Sequence, residues 1–336
     1  MEIDKLRKDI LDSINSGKKA TLVKEFDKPV RENETLFFLK PEFFQLKDTS
    51  YIDTLLGFVL EKIKEYNLDI SGVLTLKGDF LREKKIIERH YGVINKLSVR
   101  GSRILKKNDK EKIKAILSIE DLDEYRILGG HELIERFKDI TEDKLTNLWY
   151  TENGYRIGEG FYIQLHNIAG EKIILINGFN PSQIKHYTSK NSQIVLFLLE
   201  SDTDWFRIRN NFVGDTFPEK AVEGSIRAIL YRNADKYGIE SIDVAKNFVH
   251  ASSGPFDALF EICNFVGNIK DISICEFDTN IYHLMDKKYN LTKKDFKKSL
   301  ENPVARIGDK EVDLFTYTKN KNTYEAIKDF MKYFNQ

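Results

Sequence analysis

The spacing of apolar positions changes several times along the chain, and each change marks an element. In the first 19 residues Leu6, Ile10, Leu11 and Ile14 recur at helical spacing, which predicts a short amphipathic helix. A charged linker is expected after it, ending near Glu34. Residues 35–39 (Thr-Leu-Phe-Phe-Leu) read as a strand stopped by Lys40-Pro41, since proline cannot donate to a ladder. Ile52, Leu55, Leu56, Val59, Leu60 and Ile63 place a helix over 52–66. Residues 68–76 are strand-like, and 81–91 are helical again. The stretch 97–178 opens polar and lysine-rich, with a helix predicted over 131–137. A hairpin is predicted over 161–176, turning at Ala169-Gly170.

Residues 193–199 (Gln-Ile-Val-Leu-Phe-Leu-Leu) form a continuous apolar run of the kind found in a strand buried on both faces. A helix over 202–211 with Asp204 near its start, a segment opening at Gly224, a short strand ending at His250 and a helix over 255–265 complete this part. The tail offers a strand at 272–277 and helices at 293–300 and 323–334. Without the middle, strands and helices alternate. The order suggests an α+β fold with a ferredoxin-like, split βαβ core. The domain reading is an N-terminal helix and linker (1–33), a core built from 34–96 and 179–268, an inserted subdomain (97–178) and a C-terminal extension (269–336).

Composition narrows the classes. Apolar residues make up 41% and charged residues 32%, as in a folded, water-exposed protein. Lys plus Arg and Asp plus Glu both number 53, so no net field draws the chain to nucleic acid or to a membrane. Any anion site must come from local placement of cations. The basic stretch from Arg100 to Lys114 is expected to be a solvated helix face, with Glu111 among its cations. Cys263 and Cys275 lack CxxC spacing, and His131, His166, His186 and His283 show no metal-ligand spacing. There is no charged-then-apolar leader and no apolar run of about 18 residues, so the expected location is cytoplasmic.

His250 carries the candidate chemistry. It precedes Ala251-Ser-Ser-Gly-Pro255, in which Ser253 is a good N-cap and Pro255 a good early helical residue. A helix N-terminus there would welcome phosphate oxygens. A neutral imidazole is a usable nucleophile, because its ordinary pKa lies near 6.5. Glu261, on the following helix, could hold the other ring nitrogen. A histidine at a strand end is commonplace, and the neighbouring motifs are what set this one apart. They are Leu36-Phe-Phe-Leu-Lys40-Pro41-Glu, Gly214-Asp-Thr216-Phe-Pro218, Gly224-Ser-Ile-Arg227 and Asn247-Phe-Val-His250. In this order and spacing they resemble the nucleoside diphosphate kinase family.

That resemblance implies roles. Lys40, Thr216 and Arg227 would contact nucleotide phosphates, and Asn247 the sugar hydroxyl and phosphate. His250 would be the residue phosphorylated, positioned by Ser252 and Glu261, with Tyr91 near the phosphate. The family's second arginine aligns with Asn210, and Arg209 stands one step away. The implied activity is ping-pong transfer of a γ-phosphate from a nucleoside triphosphate to a diphosphate through phospho-His250. Mg²⁺ would be carried by the nucleotide phosphates, and a homo-oligomer is possible. No P-loop lysine motif is present. The chain departs from the family in three places: residues 97–178, about ten extra residues between Arg227 and Asn247 against the family pattern, and Ala251-Ser-Ser253 where the family has Gly-Ser-Asp. Phe179 is a candidate for the base-stacking ring. The departures leave two other readings open: a nucleotide-binding or regulatory protein without turnover, and transfer from His250 to a non-nucleotide acceptor.

Overall fold

The computed structural model describes residues 3–267, 269 and 278–335. The strand expected at 272–277, and Cys275 with it, lie outside those residues. The chain divides into two compact units, Met1–Lys84 with Lys190–Gln336, and Lys85–Ser189.

In the first unit a five-stranded sheet runs in the order β1–β3–β4–β2–β5. The strands are β1 (Ala20–Lys24), β2 (Asn33–Leu39), β3 (Asp69–Lys77), β4 (Gln193–Ser201) and β5 (Val249–Ala251), and every neighbouring pair is antiparallel. The apolar run of β4 occupies the middle of the sheet, as its composition predicts. Strand β1 corrects the expectation of a bare linker. Its five residues, Ala-Thr-Leu-Val-Lys, are all only partly buried on the sheet edge, so they lack the apolar density that marks the central strands.

Alternation assigns the two faces. Phe37, Leu39, Val73, Val195, Phe197 and Leu199 turn to one side. They pack there against helix α1 (Ile3–Asn15), helix α2 (Tyr51–Glu65) and helix α3 (Ile226–Arg232). Phe38 turns to the other side and meets Phe265 of helix α4 (Pro255–Phe265), with ring centroids 5.4 Å apart. The outer side of α4 carries Phe256 and Leu259. These enter a separate apolar cluster with Ile281, Met285, Phe296, Leu314, Ile327 and Phe330 of the tail. The tail helices Lys293–Leu300 and Thr323–Asp329 lie where helical spacing places them, and a two-stranded ribbon, Val304–Ile307 with Lys310–Asp313, comes between them.

The second unit holds a four-stranded sheet in the order Arg126–Gly129, Glu171–Ile176, Phe161–Ile168, Tyr155–Gly158. The first pair is parallel and the others antiparallel. The predicted hairpin turns at Ala169 (φ 52°) and Gly170 (φ 81°), two successive left-handed residues that match the twist of the flanking strands. The basic stretch lies on helices Gly92–Ile104 and Lys107–Leu117, and the second of these buries only Ile113. The single helix expected over 81–91 is broken. Helix Gly78–Glu83 ends, Lys85 adopts φ 50°, and a new helix, Ile86–His90, begins at the boundary between the units. Among the described residues no helix is long and apolar enough to cross a membrane.

Helix Gly92–Ile104 approaches the strand Arg126–Gly129 closely enough that a Cβ on Gly129 would stand 2.1 Å from the Ser98 carbonyl oxygen and 2.5 Å from that of Leu97. Backbone atoms cannot swing aside. The substitution Gly129→Ala should therefore destabilise this unit by about 1–3 kcal/mol, read as a lower urea midpoint. An unchanged midpoint would mean that the helix is not seated on this strand.

Candidate functional site

Strand register creates the site. Strand β5 pairs with β2 so that His250 lies opposite Phe38 and Val249 opposite Leu39. Beyond the strand the ladder continues in both directions. Lys40 N–H donates to the Phe248 carbonyl at 2.9 Å, and Ser252 N–H to the Leu36 carbonyl at 3.0 Å. The imidazole of His250 lies over the Phe38 ring, with centroids 4.5 Å apart and planes 23° apart. One ring face is thus covered, and 20% of the side chain remains exposed.

Glu261, on the second turn of α4, is 2% exposed and uses both carboxylate oxygens. Oε1 lies 2.7 Å from His250 Nε2, and Oε2 accepts from Ser252 Oγ at 2.6 Å. The Ser252 hydroxyl has one proton, and the shorter contact assigns it to Glu261. Its lone pairs then accept the Leu36 N–H at 3.2 Å. A carboxylate can only accept, so Nε2 carries the ring proton and the neutral tautomer has its lone pair on Nδ1. Burial first of all, then the positive charges of Lys40, Arg227 and Arg209, hold the imidazole pKa well below its ordinary value, against the opposing pull of Asp257. The ring is therefore neutral near pH 7.

Three cations converge on this ring, each from a different element. Lys40 ends β2, where the following proline holds it extended (φ −77°, ψ 165°), and it is 7% exposed. Burial first of all, and then the charge of Arg227, lower its ammonium pKa to about 8 against the opposing pull of Glu42 and Asp243. Arg227, on the first turn of α3, donates Nη1 to the Gly214 carbonyl at 3.0 Å and Nη2 to the Val249 carbonyl at 2.7 Å. Helix α3 itself begins at Ser225, whose hydroxyl accepts from Ala228 N–H. Arg209 sits on the π-helical turn Ile208–Val213, and its charge is felt by Asp257, Asp215 and Glu261. Asn210 bends back to the Phe206 carbonyl at 2.8 Å on its own helix. Of these two neighbours, the arginine is the one whose charge acts on His250.

Asn247 is 2% exposed and donates Nδ2 to the carbonyls of Thr216 and Val244. Its Oδ1 is buried and accepts no hydrogen bond. The Thr216 side chain is exposed. Phe248, between Asn247 and the histidine strand, has φ 69°, unusual for a bulky residue and a conformation that costs on the order of 1–3 kcal/mol. The surroundings impose it. Its N–H donates to Glu42 Oε1 at 2.9 Å, its carbonyl accepts from Lys40, and its side chain is 2% exposed.

One expectation needs correction. The N-cap of α4 is Gly254 and not Ser253, and position 254 leaves no room for a side chain, since a Cβ there would lie 2.7 Å from the Thr318 carbonyl oxygen. Ser253 instead donates its N–H to Asp257 at 2.7 Å. Burial raises the Asp257 carboxyl pKa, as does the charge of Glu261. Tyr91 and Phe179 belong to the second unit. The Tyr91 hydroxyl lies 3.5 Å from that of Tyr187, and Phe179 packs edgewise on Trp149 and Tyr162. Sequence reading took Phe38 only as packing and gave no role to Glu42 or Asp257. Asp257 had a usable signal, since an acidic residue three places after an N-cap commonly reaches back to a free N–H. Phe38 had another, because it lies two residues before Lys40 on the side-chain alternation of β2.

No family model matches the sequence, and no curated protein is similar to it. Solved structures with some likeness include nucleoside diphosphate kinases from three organisms. The Pyrobaculum aerophilum enzyme shares 19% identity over 73% of this chain and 100% of its own, at a TM-score of 0.35. The Encephalitozoon cuniculi enzyme shares 14% over 74% and 98%, at 0.33. The Borrelia burgdorferi enzyme, solved as a transition-state mimic with vanadate and ADP, shares 16% over 76% and 97%, at 0.33. Backbone agreement of that size adds nothing to the geometry above.

Proposed function

We propose that this protein is a phosphotransferase that carries a phosphoryl group on His250, with nucleoside triphosphates as donors and nucleoside diphosphates as acceptors. The observation that carries the reading is the His250–Glu261–Ser252 chain lying among Lys40, Arg227 and Arg209. A ligand with one reactive, highly anionic group suits that arrangement. The strand order β3–β4–β2–β5 supports a ferredoxin-like core in the same reading, with 97–178 inserted and 269–336 appended.

In the first half-reaction the Nδ1 lone pair attacks the γ-phosphorus. The bond from that phosphorus to the bridging β-γ oxygen breaks, and the diphosphate leaves with the electron pair. Positive charge appears on the imidazole as the new P–N bond forms. Glu261 stabilises it through the Nε2–H, and Ser252 keeps the carboxylate from rotating. Lys40, Arg209 and Arg227 neutralise charge spreading over the transferring oxygens. The second half-reaction reverses these events on another diphosphate. The buried Oδ1 of Asn247 accepts no bond within the protein and suits a sugar hydroxyl as its donor. Glu261 is committed to His250 and Ser252, and Asp257 to Ser253. Mg²⁺ would enter as an ion carried on the nucleotide phosphates, where it would offset their charge.

Incubation with γ-labelled ATP and Mg²⁺ should give an acid-labile, base-stable label that is lost in His250→Ala. A label that forms but passes to no nucleoside diphosphate would move the proposal to another acceptor. Bound nucleotide without label would leave only a binding protein. Replacing Glu261 by Gln removes the charge that stabilises the imidazolium. It should slow labelling about 10–100-fold without abolishing nucleotide binding.

The alkaline limb should belong to Lys40. Its folded pKa, about 8, lies below that of a free lysine, so the ammonium loses its proton as pH rises through that value. The uncharged amine no longer attracts phosphate, and kcat/KM should fall above about pH 8. In Lys40→Arg, whose guanidinium stays charged, the limb should move beyond the measurable range. An unchanged limb in that variant would assign the titration elsewhere.

A further inference from the structure

The tail packs against the histidine loop and reaches Arg209. The tail backbone turns through Asn320 at φ 63°. There Asn320 makes two contacts. Its N–H donates to the Ser253 carbonyl at 2.9 Å, just past the serine that holds Glu261. Its Oδ1 accepts from Arg209 Nη1 at 3.3 Å. Two residues on, Asn322 Oδ1 accepts the Trp205 N–H at 2.8 Å, at the first turn of the helix that continues into Arg209, and the Asn33 side chain at 3.1 Å. Asn33 Oδ1 in turn accepts the N–H and hydroxyl of Thr323, each at 3.0 Å. Segment 318–323 thus ties the start of β2, the Trp205 helix and the loop after His250 to one another.

Arg209 needs such an anchor. Its guanidinium is largely buried and lies close enough to Asp257, Asp215 and Glu261 to feel their charges. An arginine so surrounded would turn toward the carboxylates of its own site. A neutral amide oxygen fixes one nitrogen without competing for the charge, which stays available to an incoming anion. We propose that Asn320 is a positioning residue that aims Arg209 at the terminal phosphate of the nucleotide, so that the C-terminal segment is part of the transfer site. This rests on the phosphotransfer reading for its ligand, and on the contacts above for its geometry.

The test is a double-mutant cycle on the full chain, with ATP·Mg²⁺ as ligand, reading both calorimetric affinity and the labelling of His250. Asn320→Gly keeps the left-handed turn and the N–H to Ser253 and removes only the amide that holds Arg209. It and Arg209→Ala should each weaken ATP binding about tenfold, and the double variant should be no weaker than Arg209→Ala alone. Wild-type labelling with additive losses in the cycle, or with no loss in Asn320→Gly, would overturn the positioning role and leave phosphotransfer standing. A coupled cycle in binding without label on His250 would do the reverse. Failure to bind ATP at all would overturn both. Thermal denaturation of Asn320→Gly separates a folding defect from the proposed effect. A merely structural role would lower Tm and leave affinity coupling to Arg209 absent.

Discussion

One buried carboxylate governs the site. Glu261 lies between the sheet and the tail cluster on a helix that both grip, and its two oxygens are divided between a ring nitrogen and a hydroxyl. An ionised carboxylate in such a place is costly unless its acceptor capacity is used. Ser252 and His250 use it, and the tautomer of the ring follows from that alone. Because Ser252 is also bonded to the backbone of β2, the carboxylate is referenced to the sheet itself. His250 is thereby tied to the sheet although it is the middle residue of an edge strand of only three.

The charge arrangement around it follows from a protein with no net charge. Three cations gather near one imidazole, and each is desolvated or bonded to backbone carbonyls before any ligand arrives. Arg227 spends two nitrogens on the carbonyls of Gly214 and Val249 and so stiffens the histidine strand as well as charging the site. Lys40 bears the desolvation most plainly, with a proton affinity reduced by burial. An anion that enters relieves this cost, which favours groups carrying several negative charges over those carrying one.

Much of this was legible in the sequence, for identifiable reasons. The β2 and β4 runs are apolar without interruption, and the helices of the first unit repeat cleanly, so elements and sheet centre could be read from hydrophobic period. Lys40, Arg227, Asn247, Ser252, Glu261 and His250 lie in or beside short motifs that a local window contains. The illegible parts are those set by tertiary contact. Strand β1 is half-exposed and forms only because β3 offers an edge. Position 254 excludes a side chain because of a carbonyl about sixty residues further along the chain. Arg209 meets Asn320 from the tail, whereas Asn210 bonds back to Phe206. None of these can be inferred from a local window.

The contact between Gly254 and the Thr318 carbonyl ties two distant stretches of the gene to each other. While the tail follows its present path, position 254 can carry no side chain, and while 254 carries none, the tail can run that close to the histidine loop. A descendant of this protein that lost the segment around Thr318 would be released from that restriction at once. A descendant that first replaced the glycine would have to find a new route for its C-terminus. The glycine thus records a mutual commitment between the loop and the tail, made by shape alone.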